Sequence, residues 1–455
     1  MRYLIIPLLA TGALVLSTAP AYADLGDQLA KLLADDGAAG DSFGISVAIS
    51  GATAIVGADL NDDLGSYSGS AYLFDIISGQ QIVKLLPDDG TENDSFGNSV
   101  AISGTITIVG AELAGDKGLG PGFAYLFDTT TGQQIFKLLA DDGAVGDEFG
   151  CSVAISGLTA IVGADLVDDN GTNSGSAYLF DTTTGRQLFK LLPNDGADFD
   201  RFGWSVAISG TTAIIGADLV DDNGTNSGSA YLFDTGTGRQ LFKLLAEDSE
   251  EADRFGVSVA ISGTIAIVGA NNDNDNGINS GSAYLFDTTT GQQLFKLLAE
   301  DGEAGDQFGL SVAISGTTAI VGAHRDDDNG SNSGSAYLFD TTTGQQIAKL
   351  LPSDGALYER FGWSVAINSD TAIVGAIEDD DNGFNSGSAY LFDAADTPPC
   401  PADLNEDGSV GVSDLLILLG FWGPCSPVCL GDLDGDRNVG VKDLLTLLGA
   451  WGPCP

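Results

Sequence analysis

Twice near the C-terminus, oxygen-bearing side chains recur at alternate positions of a twelve-residue stretch. In the first copy Asp403, Asn405, Asp407, Ser409 and Asp414 occupy positions 1, 3, 5, 7 and 12, with Gly408 at position 6 and Val410 at position 8. In the second, Asp432, Asp434, Asp436, Asn438 and Asp443 repeat the set, and Arg437 replaces the glycine. Alternate oxygens on a turning backbone converge on one hard cation, and this spacing is that of a calcium loop. The sixth position needs φ > 0, which glycine adopts freely and arginine does not, so the second loop is expected to bind more weakly.

The elements that must position these loops are small. Each loop is followed by one short apolar helix, from Asp414 to Leu419 in the first copy, closed by Gly420 or Gly449 and an aromatic-Gly-Pro-Cys tail. Cys400, Cys425, Cys429 and Cys454 bracket the two copies. Four cysteines allow three pairings, and the identical spacing within each copy favours Cys400 with Cys425 and Cys429 with Cys454. A module this small needs such staples, each contributing about 2–4 kcal/mol. Residues 394–399 contain a Pro-Pro pair and read as a semi-rigid linker.

At the other end, residues 1–23 combine Arg2, an apolar run from Tyr3 to Leu16 and small residues at Ala21 and Ala23, the pattern of a secretory signal peptide. The mature chain is expected outside the cytoplasm, secreted or attached to the cell surface, with no transmembrane segment. Seventeen basic against 64 acidic residues, a net charge of -47, argue against nucleic acid and anionic membranes as partners and favour cations. One His and one Met leave little for general-base chemistry.

Between these ends the pair Phe-Gly recurs at Phe43, Phe96, Phe149, Phe202, Phe255, Phe308 and Phe361, a constant step of 53. Each copy runs through four strand-like segments, FGxSVAIS, TAIVGA, SGSAYLFD and QQLFKLL, with turn residues between them, which is one four-stranded propeller blade. The seventh copy stops at Asp393 without a QQLFKLL segment, while Gln28 to Leu33 is an orphan copy of it. The expected fold is therefore all-β: a seven-bladed propeller over residues 24–393, its last blade closed by the N-terminal strand, followed by a small helical calcium-loop module over residues 400–455.

The Phe of each Phe-Gly pair reads as core between blades. Lys31, Lys84, Lys137, Lys190, Lys243, Lys296 and Lys349 share one place in the fourth strand and read as guards of an exposed sheet edge. Acidic loops such as Asp165 to Ser174 follow the Gly-Ala of each copy. Their Asn-Gly chemistry reads as polar turns, and any cation site in them is confined to blades three to seven. Trp204 and Trp363 replace smaller residues at one strand position: core by default, or sugar-stacking ligand contacts if that position faces a propeller end. Cys151, at the same position, reads as inert.

The paired signatures, as in Phe202-Gly203 and Ile215-Gly216-Ala217, resemble the FG-GAP repeats of the integrin α-subunit propeller and of bacterial extracellular proteins. The proline that follows Gly-Ala in that pattern is replaced by Asp59, Glu112, Asp165, Asp218, Asn271, His324 and Ile377, and the tight turn between the two signatures leaves no room for that family's calcium loop. Asp181 to Gly185 with Phe189 is similar to the blade-docking motif of quinoprotein dehydrogenases, a structural motif there. Residues 400–455 resemble a duplicated dockerin module, including Asp rather than Glu at position 12. That resemblance implies calcium-dependent folding and docking to a cohesin-like or surface partner.

These readings point to a binding or adhesion protein, not an enzyme, whose propeller presents a surface to a protein or glycan ligand on the cell exterior and whose module attaches it there. Two alternatives stand beside this one: a polysaccharide-degrading enzyme or accessory protein, because dockerins commonly accompany glycoside hydrolases, and a structural surface-layer component. Motifs repeated this evenly are expected to leave no blade with a unique catalytic constellation.

Overall fold

The computed structural model describes residues 25–115, 120–395, 400–405, 409–424, 431–434 and 438–453. The chain separates into two compact units, one of Leu25–Asp396 and one containing Thr397–Pro455. The signal-peptide residues 1–23 and linker residues 396–399 lie outside the described residues.

In the larger unit each repeat forms a four-stranded antiparallel sheet. The orphan N-terminal segment forms β1 (Gln28–Leu32), and blade one is β2 (Val47–Ser50), β3 (Thr53–Ala58), β4 (Ser70–Asp75) and β5 (Gln80–Leu85), paired in that order. The apolar TAIVGA and SAYLFD segments are buried on both faces as the middle strands, whereas QQIVKL alternates in exposure. The seventh sheet takes Phe361–Asn368, Thr371–Ala376 and Ser388–Asp393 from one end of the chain and β1 from the other. Lys31 lies opposite Tyr390, as Lys84 lies opposite Tyr72 in blade one. β1 also reproduces the contact between blades: Gln28 accepts from the Ser353 N–H at 2.8 Å, as Gln81 accepts from the Asp35 N–H at 3.0 Å. The first strands of neighbouring blades pack on one another all the way around, so they line the axis and the fourth strands lie outermost.

The two sequence signatures prove to be one contact seen from its two sides. A Cβ on Gly163 of blade three would lie 2.0 Å from the carbonyl oxygen of Gly203 in blade four, and Gly203 itself has φ of +101°. Phe202 is fully buried, edge-on to Tyr231 and Phe233 with centroids 5.4 and 5.7 Å apart, and shares a core with Leu179 and Leu191 of the preceding blade. Ser152 Oγ donates to the Gly203 carbonyl at 2.7 Å, and across the ring closure Ser364 Oγ donates to Gly44 at the same distance.

This close approach gives a direct test. Gly216→Ala would put a Cβ 2.0 Å from the Gly256 carbonyl oxygen, whereas Gly210→Ala, in an open turn at φ +56°, meets nothing within 4 Å. The turn substitution should cost about 1–2 kcal/mol of left-handed strain. The interblade one should cost more, since overpacking alone takes about 1–3 kcal/mol and the contacting atom is rigid backbone. Equal losses in denaturant titration would show that the glycine is not there for the close approach.

In the smaller unit α1 (Val412–Gly420) and α2 (Val441–Gly449) start two residues before the expected position, because extended Gly411 and Gly440 serve as N-caps, and each takes in its terminal glycine. Ser409–Val410 pairs with Gly452–Pro453, and Gly423–Pro424 with Asn438–Val439, so each copy's tail pairs with the other copy's loop. Ala402, Leu404, Val410, Leu418, Val439 and Leu447 form the core. Among the described residues no helix is long and apolar enough to cross a membrane.

Candidate functional site

First strands begin and second strands end at the same end of the propeller, next to the axis. Three register positions there abandon the repeat: the residue before each Phe-Gly, the one after it, and the one after each Gly-Ala. The first of these on one blade meets the third on the blade before. Arg201 Nε donates to Asp165 Oδ2 at 2.8 Å and Arg254 Nε to Asp218 Oδ2 at 3.0 Å. Asp165 and Asp218 are fully buried, and Oδ1 of each has no hydrogen-bond partner.

Trp204 and Trp363 occupy this rim, half-buried. Both already have neighbours of their own. The Arg201 guanidinium lies 3.9 Å over the Trp204 ring, and His324 meets Trp363 edge-on at 5.0 Å, with Arg360 at 5.7 Å and paired to Glu378 at 3.0 Å. Burial, with Arg325 and Arg360 nearby, drops His324 to about 3, so it is uncharged at neutral pH.

Between blades two and three the register is inverted. Glu148 stands where the next two junctions carry arginine, and its charge acts on Glu112. Asn98 Nδ2 donates to Glu112 Oε2 at 3.2 Å and to the Gly150 carbonyl at 3.2 Å. Burial first, then Glu148, Asp165 and Asp59, push Glu112 up to about 8, and burial pushes Asp59 up to about 6. Cys151, the free cysteine among the described residues, donates to the Gly203 carbonyl at 3.5 Å. Burial and then Asp165 and Glu112 raise its thiol, as suits an inert side chain. The even repetition expected from the motifs therefore breaks down at one place, where residues far apart in sequence meet on the rim.

The strand-four lysines are not edge guards. Lys349 Nζ is 2.7 Å from Asp301, 3.2 Å from Asp326 and also paired with Asp328, and it stands 5.0 Å over the Tyr337 ring, whose hydroxyl donates to Asp326 at 2.7 Å. The acidic loops cover the outer edge, so each ammonium turns inward to carboxylates. Burial alone would lower the Lys349 ammonium, but Asp301, Asp328 and Asp326 raise it. Within the loops Asp168 caps Asn173 N–H at 2.8 Å and Asp169 accepts from Ser176 Oγ at 2.8 Å, so these are hydrogen-bonded polar turns. In blade six the loop bounds an acidic recess of about 480 Å³ lined by Asp301, Glu303, Asp306, Arg325, Asp326 and neighbours.

In the smaller unit three of the predicted ligands of the second loop converge. Carboxylate oxygens of Asp432, Asp434 and Asp443 all lie within 4.8 Å of one another. Asp443 Oδ1 accepts from the N–H groups of Leu433 and Asp434 at 2.7 and 3.1 Å, and Oδ2 from Gly440 at 2.7 Å. Asp414 repeats this with Leu404, Asn405 and Gly411 at 2.8, 3.1 and 2.7 Å. Asp414 and Asp443 are both buried at a helix N-terminus, where a carboxylate is favoured. Asp403 and Ser409 are half-buried beside the first loop, Asn405 and Asn438 are exposed, and Lys442 approaches Asp434 at 3.2 Å. Asp407, Asp436 and Arg437 lie outside the described residues. Cys400 is disulfide-bonded, and the pairing falls on Cys425, Cys429 and Cys454, also outside them.

Seven four-stranded sheets closed by strand exchange, with loops at one end and tight turns at the other, define a seven-bladed β-propeller. A family model described as FG-GAP repeat matches residues 27–74, 80–127, 133–180, 186–233, 239–286, 292–339 and 345–392, and the chain belongs to the FG-GAP repeat family. Each match starts on the outer strand of one blade and ends on the third strand of the next, so the first begins with β1. The one-strand offset between sequence repeat and structural blade is what closes the ring. No curated protein matches the chain.

Proposed function

We propose that this is a secreted or cell-surface binding protein that presents the axial rim of its propeller to a protein or glycan ligand and uses its C-terminal module as a calcium-dependent, dockerin-like attachment to a partner outside the cell. The observation that carries the first half is the gathering of the non-repeating side chains on that rim. Blades four and seven bring arginine beside tryptophan and blades one to three bring carboxylates, a polar and aromatic mixture suited to recognition. The convergence of Asp432, Asp434 and Asp443 supports the second half, and the bracketing cysteines would staple the two loops.

Immobilised mature protein should retain a component of the parent cell's surface extract without turning it over. Trp204→Leu and Trp363→Leu together should lower that retention about tenfold, the effect of losing roughly 1.4 kcal/mol at a stacked anchor. Thr342→Ala, in an exposed turn at the opposite end, should leave it unchanged. Undiminished retention by a stable double variant removes the rim reading, and cleavage of a glycan panel by the wild type supports the hydrolase instead.

A further inference from the structure

Taking the rim as the binding face, we propose that it holds an uncharged polysaccharide at two equivalent stations, one on blade four and one on blade seven, each built on an exposed aromatic ring, Phe199 or Tyr358. These two blades alone lead into their first strands with an aromatic, an acid, Arg-Phe-Gly and Trp: Phe199 to Trp204, and Tyr358 to Trp363 three repeats on. The loop that carries the ring joins the outer strand of one blade to the first strand of the next, so it leaves the sheets at the rim end. Tyr67 and Phe384, the other exposed aromatics of the propeller among the described residues, also stand on loops at this end.

The local backbone shows that the two rings are not there for the fold. At their register every blade has positive φ, from +64° at Asn93 to +99° at Gly305, and the other copies place Gly40, Asn93, Gly146, Ala252 and Gly305 there. Phe199 and Tyr358, both at +68°, put bulky side chains where the backbone penalises them. Packing does not repay this, since the two residues are 57% and 56% exposed. The Phe199 N–H donates to the Thr172 carbonyl at 2.7 Å and the Tyr358 N–H to Ser331 at 2.9 Å, so the acidic loop of the preceding blade pins each one. A strained, exposed and pinned aromatic is a contact residue. A sugar ring offers an apolar face to an aromatic and hydroxyl donors to carboxylates, which only accept; Asp198 precedes Phe199 and Glu359 follows Tyr358. The net charge of -47 repels polyanionic glycans and acidic peptides. Two stations of one kind require a ligand that offers the same determinant twice, as a polymer of one repeated unit does.

The wild-type mature chain should be retarded in native gels containing at least one soluble neutral polysaccharide among hydroxyethyl cellulose, laminarin and galactomannan, and not in gels containing alginate. Phe199→Asn and Tyr358→Asn should each weaken that retardation at least about tenfold, because losing one of two linked stations removes the avidity. The double variant should run as in an empty gel. Asn tolerates the left-handed backbone, as Asn93 does in blade two, so each variant should keep or raise Tm. A Tm lowered by more than about 2 °C would make the ring a packing residue and sink the station. Retardation by alginate alone, or unchanged retardation of the double variant, overturns the proposal. If no neutral polysaccharide retards the wild type while the tryptophan variants lose a protease-sensitive component of the surface extract, the glycan stations fall and the rim reading stands. If the tryptophan variants lose nothing either, both fall.

Discussion

A chain lacking residues 25–33 is expected to lose its cooperative monomeric melt and to aggregate. β1 is the outer strand of blade seven, and its removal bares the Ser388–Asp393 edge with Tyr390 and Leu391 on it. Leu32, fully buried, leaves a core that contains Phe43, Ile373 and Leu391. Lys31 is lost as well, and with it the ammonium 2.9 Å from Asp379 and 2.8 Å from Asp354. Asp379 is buried, and removing one partner of a buried pair costs about 3–5 kcal/mol. An unpaired edge strand is also a template for a second chain. Light scattering and calorimetry decide it: a monomer with an unchanged transition would mean that the ring closes without β1. Supplying Gln28–Leu33 as a peptide should restore the transition in part.

The closure was legible because a period of 53 and an orphan strand are properties of the one-dimensional sequence. The Phe-Gly and Gly-Ala signatures were legible as core, but not as the two halves of one contact, because nothing in the sequence says that Gly163 and Gly203 meet. The lysines were misread for a related reason. Edge protection assumes an open edge, while in the ring the loop of the preceding junction reaches over it, so Lys190 finds Asp142 and Lys243 finds Asp195, each 48 residues back. The rim pairs run at a separation of 36, from Arg201 to Asp165 and from Arg254 to Asp218. Lining up the seven copies and asking which columns vary together at that offset would have exposed Glu112 and Glu148 as the odd junction. Reading motif by motif meets Glu112 only as a departure from the Gly-Ala-Pro pattern and passes over Glu148, which belongs to no motif.

Calcium removal is expected to loosen the C-terminal module and leave the propeller intact. Backbone N–H groups hold the Asp443 carboxylate in place, but together with those of Asp432 and Asp434 it puts three negative charges within 4.8 Å, which repel until a cation offsets them. A ligand at about a hundred times its Kd stabilises the folded form by about 2.7 kcal/mol, a large share of what so small a core can supply. Calorimetry of the mature chain should therefore resolve two calcium steps. Asp403→Ala should abolish the tighter and Asp432→Ala the weaker, because Gly408 suits the sharp turn, Arg437 does not, and Lys442 competes for Asp434 at 3.2 Å. With its disulfides kept, the chelated module should gain protease cleavage sites within 400–455 without becoming a random coil, while the propeller's melting transition stays where it was. Identical cleavage in chelator and in millimolar calcium would show that these carboxylates are a solvated face around two short helices and hold no ion.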